Sequence, residues 1–335
     1  MAAQLAIVDL ADATEWDSAI GRQPDASIYA ARPWGTYKSR IGWAVRRIAI
    51  RAGEGEGEDL AYIQYQQRRR GPGRFILAQG CPILTPLGES RAEAVLQAFL
   101  AHLDLRRSDL VGVNYHQPER RDAVLALLAH GFTPVVSARN HTLELDLAQD
   151  LDAIRARMDP RWRANLRKAE RNGDLSTHLL SDPEERLRAF DGFSRMYAAL
   201  KARKGFSSTL DTQAYRDVAA SDPRVAMLEV RERGEPILIR IAHRTPTRWT
   251  DFFAASNERA RATHAAPLAV WRCVEQAKAD GHHVFDFGGI DPAANRGVFD
   301  FKRGLCRNVV QSAPLWLYGR SRLLRDAAAA FLARR

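Results

Sequence analysis

The clearest strand in the chain announces itself by alternation: in His141-Thr-Leu-Glu-Leu-Asp-Leu147, Leu143, Leu145 and Leu147 fall on one side, the period of a half-buried strand. Short apolar runs predict strands before it, at 44–50, 60–66, 74–78 and 110–115, with the Gly- and Glu-rich segment 51–58 as a solvated hairpin tip. After it, strands are expected at 225–231, 237–243, 249–254 and near 309–317, the first two joined by a tight Arg233-Gly234 turn. Helical spacing places Val95, Leu96, Phe99, Leu100 and Leu103 on one face, entered by Ser90 and Glu93 at capping-box spacing. A helix over 122–130 stops at Gly131. Asp159-Pro160 has the chemistry of an N-cap and first turn, for a helix ending at Asn172-Gly173. Further helices are predicted over 183–202 and 212–220, from Pro267 to Gly281, and from Ser321 onward. Both halves therefore repeat one order: a meander of strands, a helix, a strand, a helix or loop, a strand. No residue-level repeat accompanies it. The boundary is placed at the Leu143 strand, giving domains 1–145 (joined by the C-terminal helix 319–335) and 146–318.

The chain has 335 residues, enough for two domains or one large one, and its 46% apolar and 27% charged content is ordinary for a globular protein. No apolar run approaches the roughly 20 residues of a membrane span, and Met1-Ala-Ala-Gln-Leu does not begin a signal peptide. A cytoplasmic location is expected. Cys81, Cys273 and Cys306 stand far apart in no ligand spacing and read as reduced structural thiols, and His282-His283 lacks nearby partners. No metal is expected. The formal charge is +10, and only six of the fifty basic residues are lysine. That balance favours phosphate-bearing partners such as RNA, a nucleotide sugar or an anionic membrane face, although an arginine-rich proteome gives much the same numbers.

The stretch 282–306 concentrates the candidate chemistry. Val284, Phe285 and Phe287 form a short apolar run that breaks at Gly288-Gly289; a loop with Pro292, Asn295 and Gly297 follows, and Phe299-Asp-Phe-Lys-Arg-Gly304 brings rings and cations back together. The Asp-Phe-Gly triplet also occurs in protein kinases, but the Gly-rich and His-Arg-Asp loops of a kinase are lacking. The order Asp286-Phe-Gly-Gly-Ile290, some ten residues, then Phe301-Lys302-x-Gly304 resembles the signature of the FemABX family of non-ribosomal peptidyl transferases. That resemblance covers most of the second half and scattered parts of the first. It implies a mixed α/β (α+β) architecture of two tandem GNAT-like acyltransferase domains with mixed sheets, in line with the element order. It also implies transfer of an amino acid from aminoacyl-tRNA to an amine of a nucleotide- or lipid-linked muropeptide, with no cofactor besides the charged tRNA and with peripheral contact at the inner membrane face as a further possibility.

The resemblance extends to other segments. Trp34-Gly-Thr-Tyr-Lys38 is similar to the family's Trp-x-x-x-Lys segment, whose lysine contacts a precursor diphosphate; an exposed lysine after a buried tryptophan is the plainer account. Arg203-Lys-Gly-Phe206 resembles the Arg-x-Gly-Phe segment, whose arginine also holds acceptor phosphate. Phe253 lies in a matching stretch where many members carry a tyrosine in place of Phe252 or Phe253, and Gln79-Gly-Cys-Pro82 replaces their Arg-Gly-Pro, so the acceptor stays open, a secondary-metabolite amine included. In the segment after Asp159, Trp162, Leu166 and Ala169 face inward, leaving Arg163, Arg167 and Arg171, with Lys168, as a cationic face for RNA phosphates or simply for solvent. By the same resemblance Lys302 is the candidate cation for the oxyanion or the tRNA 3′ end, Phe301 a ring for a terminal base, Arg303 a tRNA contact, and Asp286, Gly288 and Gly289 part of the substrate site, with Asp286 more suited to capping its turn. No general base is identified, Asp286 and Asp300 being the two carboxylates at hand.

Two rivals remain. An acyl-CoA-dependent N-acyltransferase holds pyrophosphate on an Arg-x-x-Gly-x-Gly loop opening a helix; Arg68-Arg-Arg-Gly71-Pro-Gly73 has the letters but precedes the apolar run 75–78, so it is expected in a hairpin. A non-catalytic RNA-binding protein fits the charge, but no RNA-binding module signature is found.

Overall fold

In chain order the elements are β1 (Leu5–Asp9), α1 (Ala13–Gly21), α2 (Arg32–Arg40), β2 (Ala44–Ala52), β3 (Asp59–Arg70), β4 (Gly73–Gln79), β5 (Ile83–Leu84), α3 (Pro86–Glu89), α4 (Ala92–His102), β6 (Leu110–Asn114), α5 (Arg121–Ala129) and β7 (Thr133–Val135). There follow β8 (His141–Asp146), α6 (Leu151–Arg157), α7 (Pro160–Glu170), β9 (Leu175–Leu180), α8 (Pro183–Lys204), α9 (Thr212–Ser221), β10 (Val225–Glu232), β11 (Glu235–Arg244) and β12 (Arg248–Ser256). The chain closes with α10 (Glu258–Ala262), α11 (Ala265–Ala279), β13 (Val284–Gly289), α12 (Arg296–Arg303), β14 (Val309–Gln311), β15 (Leu315–Tyr318) and α13 (Arg322–Ala333). This computed structural model describes residues 5–23, 25–53, 57–114, 121–136, 141–204, 211–293 and 295–334. The tip of the hairpin expected at 51–58 lies partly outside them, as does Tyr115.

The chain divides into two compact units, Met1–Asn140 with Ser312–Arg335, and His141–Gln311. The first is built on a mixed sheet of order β1-β2-β3-β4-β6-β15-β7, with β5 paired to β3. Its core joins Ile48, Ile50, Ile63, Ile76, Val111 and Val113 of the sheet to Val95, Leu96 and Phe99 of α4 and Leu127 of α5. Fully burying each such side chain is worth about 1.5–3 kcal/mol. Strand β15, from the far end of the chain, pairs with β6 on one side and β7 on the other.

The second unit carries the sheet β14-β8-β13-β12-β11-β10-β9. Leu143, Leu145 and Leu147 pack with Trp162 and Leu166 of α7, Trp271 and Val274 of α11, and Phe285 and Phe287 of β13. Helix α8 takes the other face, where Ile239 of β11 meets Gly192, because successive residues of a strand point to opposite sides. Asp159 caps α7 as its chemistry suggests, accepting from the backbone of Arg161 at 2.9 Å and Trp162 at 3.4 Å. Among the described residues no helix is long and apolar enough to cross a membrane.

Four expectations need correction. The boundary after residue 145 cuts a strand of the second unit, since β8 pairs with β13 and β14. The single strand near 309–317 is two: β14 joins the second sheet and β15 the first, parted at Pro314, which has no N–H to continue a ladder. Ser90 does not cap α4; its hydroxyl donates to the Leu87 carbonyl at 3.1 Å, closing the short α3, and Arg91, at the N-cap of α4, makes no side-chain cap. The loop expected through Gly297 becomes α12 from Arg296. The opposed residues Arg68 to Arg70 of β3 and Gly73 to Phe75 of β4 do form a hairpin.

Candidate active site

Strands β12 and β13 run parallel but pair only at Arg248–Thr250 against Val284–Asp286, and then part. The turn that follows is organised by Asp286. Its Oδ1 accepts from the Gly288 N–H at 2.8 Å and from Thr142 Oγ1 at 2.5 Å, and its Oδ2 from Arg248 at 3.3 Å. Arg248 in turn reaches Glu144 at 2.6 Å. Asp286 is thus the scaffold of the loop, the capping role its position suggested.

Gly288 has φ +68°, and a Cβ added there would lie 2.5 Å from the Asp251 carbonyl oxygen. Conformation and space both require glycine. Lys302 of α12 turns its ammonium onto this turn, donating to the Gly289 carbonyl at 2.8 Å and the Gly288 carbonyl at 3.2 Å. Helix α12 is held from below. The Asp159 N–H donates to the Gly304 carbonyl at 2.8 Å, and the Trp162 ring lies where a Cβ on Gly304 would come within 2.8 Å of it. Phe301 packs its ring on Trp162, centroids 5.8 Å apart, and against the core; this seats α12, and the ring is turned toward protein.

Behind the lysine lies a buried ion pair that the sequence did not point out. Arg240 of β11 donates to Asp251 of β12, both side chains only 7% exposed. Burial pushes the Asp251 carboxyl up, opposed by Arg240 and Lys302. Burial likewise pulls the Lys302 ammonium below the ordinary lysine value, helped by Arg240 and opposed by Asp251 and Asp286. The ammonium thus lies within electrostatic reach of a buried anion and a buried cation and is a poised hydrogen-bond donor. The one clue in the sequence was a charge inside each of two apolar strands, Leu238-Ile-Arg-Ile and Asp251-Phe-Phe. The thiols carry no such chemistry: burial pushes Cys81 and Cys273 up to about 12 and raises Cys306.

The other candidates are more scattered. On α7, Arg163 donates to the Ala156 carbonyl at 2.9 Å, whereas Arg167, Lys168 and Arg171 are exposed and have no ion-pair partner among the described residues. Arg303 pairs with Asp300 at 3.0 Å. Arg203 holds Glu258 at 2.9 Å in an exposed pair; Gly205 and Phe206 of its segment lie outside the described residues. Phe253 sits edge-on to Tyr215, centroids 4.8 Å apart, so a phenol does stand beside it, supplied by α9. In the first unit Trp34 is buried on α2, and the Lys38 ammonium lies 4.7 Å from its ring centroid and 5.6 Å from that of Trp43, an arrangement worth about 0.5–2 kcal/mol.

Residues 156–303 match a family described as Acetyltransferase (GNAT) domain. No curated protein matches the chain. Among solved structures, FemX is similar at 14% identity and TM-score 0.72, covering 97% of this chain and 100% of its own. The C-terminal domain of a "Putative Lysylphosphatidylglycerol Synthetase" from Agrobacterium fabrum is similar at 12% identity and TM-score 0.61, with 96% and 94% covered. L-PGS from Bacillus licheniformis follows at 15% identity and TM-score 0.53, with 82% and 87% covered. The fold is the FemABX-like one of two GNAT-like domains in tandem, and the second unit carries an acyltransferase domain of the GNAT type.

Proposed function

We propose that the chain is an aminoacyltransferase that moves an amino acid from aminoacyl-tRNA to an amine of a nucleotide- or lipid-linked muropeptide. The observation that carries this reading is Lys302, a partly buried ammonium held on the Gly288-Gly289 turn where β12 and β13 part. In the reaction the neutral amine attacks the ester carbonyl carbon, a C–N bond forms and the carbonyl electron pair moves to oxygen. Collapse of that oxyanion restores the carbonyl and expels the ribose oxygen, which takes up a proton as the amine loses one. An aminoacyl ester is already activated, so positioning and one fixed donor at the oxyanion suffice. Lys302 is that donor, Asp251 and Arg240 set its charge, and Arg167, Lys168 and Arg171 are the surface for the tRNA backbone. In the first unit Lys38, seated on the Trp34 ring, is a cation for acceptor phosphate, and in the second unit Arg203 is another.

The match to an acetyltransferase domain favours a second reading, acyl transfer from acyl-CoA. Against it, the segment between β12 and α11 contains no glycine, the first turn of α11 starts on the fully buried Ala265, and Pro267 withholds an N–H from it. A pyrophosphate has few donors to grip there.

The test offers a mixed pool of charged tRNAs with UDP-linked and lipid-linked muropeptides, read by mass spectrometry with and without RNase. A residue-sized mass gain abolished by RNase, and reduced by about 10²–10³ in Lys302→Met, supports the proposal. No gain with any charged tRNA, but an acyl gain from acyl-CoA on an amine, overturns it.

A further inference from the structure

Most surface helices turn their apolar side inward. Helix α13 has two apolar sides. Ala328, Ala329 and Leu332 pack with Val135, Leu315 and Leu317 on the first sheet, yet Leu323 is 84% and Phe331 55% exposed, with Leu324 also open to solvent. At 100° per residue Leu323, Leu324, Ala327, Ala330 and Phe331 form one continuous outward stripe. Arg325 ties the helix to the rest of the unit by donating to the Gly131 carbonyl at 2.7 Å. Two more exposed apolar residues, Leu128 and Val136, flank that glycine. A concentration of exposed apolar side chains of this kind marks a docking surface.

The charges around the stripe select its occupant. Arg320 and Arg322 precede or open the helix and Arg334 follows it, all exposed, while the acid within it, Asp326, is paired with Arg325 at 2.8 Å. Two copies of α13 packed antiparallel about a two-fold axis would set Arg322 against Arg334, like charge against like. A negatively charged surface meets the same arrangement favourably at both ends. We propose that α13 lies in the plane of an anionic bilayer, Leu323 and Phe331 entering the headgroup boundary and Arg320, Arg322 and Arg334 pairing with lipid phosphates. Such helices bind by apolar area together with attraction to acidic lipid. The inference rests on the first unit alone and is independent of the transfer chemistry.

Flotation of the full chain with vesicles of phosphatidylcholine, with and without 30 mol% phosphatidylglycerol (about the proportion that gives a strongly negative surface), tests it. The expected result is at least roughly fivefold more protein with the acidic vesicles, lost at high salt and lost in Leu323→Glu/Phe331→Glu. Arg322→Glu/Arg334→Glu leaves the apolar stripe intact and removes the preference for acidic lipid. Equal recovery with both vesicles, or none with either, overturns the proposal. So does a concentration-dependent dimer in sedimentation that Leu323→Glu/Phe331→Glu dissociates, which assigns the stripe to a second copy.

Discussion

Gly288 and the carbonyl of Asp251 stand so close that a methyl group does not fit between them: the added Cβ would be 2.5 Å from the oxygen, on a backbone at φ +68°. Gly288→Ala is expected to lose about 1–2 kcal/mol from the left-handed conformation alone, with a further loss as the strand end moves. In a unit of this size that is a Tm lower by about 2–8 °C, measurable by calorimetry. Because the Gly288 carbonyl also receives Lys302, transfer falls more than stability does. An unchanged Tm contradicts the geometry.

Lys302→Met separates stability from activity. A lysine whose folded-state value is depressed binds fewer protons when folded than unfolded, so its stability contribution is full above the ordinary value of 10.5 and is lost as pH falls through the depressed one. At neutral pH the partly desolvated ammonium is therefore a cost that methionine removes. The variant is expected to match or exceed the wild type in urea midpoint at pH 7, to lose that advantage as pH approaches 10.5, and to have activity lower by about 10²–10³ at both. A midpoint well below wild type at pH 7 runs against this account.

The Arg240–Asp251 pair behaves in the opposite way. With both side chains 7% exposed, Arg240→Met strands a carboxylate in the interior and is expected to cost about 3–5 kcal/mol. Arg240→Met/Asp251→Leu removes both charges and recovers most of the loss, while kcat stays low because Lys302 has lost the charges that tune it. Denaturation of the two single variants and the double variant, run as a cycle, gives the coupling directly.

Charge removal on α7 grades the RNA-binding residues. Arg167→Ala and Arg171→Ala are each expected to weaken tRNA binding and to reduce the salt slope by about 0.7–0.9 for each phosphate no longer neutralised. Arg163→Ala does less to the slope, its guanidinium already being spent on the Ala156 carbonyl. Filter binding across a salt series distinguishes the three. Equal slopes in all variants make the exposed face of α7 a solvated one.

Local signals in the sequence are legible where one residue type answers one geometric demand. Arg233-Gly234 turns with φ +51° and +88°, Asp159 caps α7, Asp286 caps the Gly288 turn, and the Leu143 alternation is buried on the side expected. What stays hidden depends on partners distant in sequence. Arg240 and Asp251 read as stray charges in apolar strands until the sheet sets them side by side. Phe301 reads as a ring for a nucleic acid base, because its neighbour Trp162 lies 139 positions earlier in the chain. The run at 309–317 reads as one strand since apolar content says nothing of which sheet receives it.

The position of β15 also fixes an order of events on the ribosome. Residues 315–318 supply the strand between β6 and β7, so the first unit has a gap in its sheet until those residues have been made. His141–Gln311 emerges entire while its predecessor still waits with two open strand edges. The unit begun before its neighbour is completed after it.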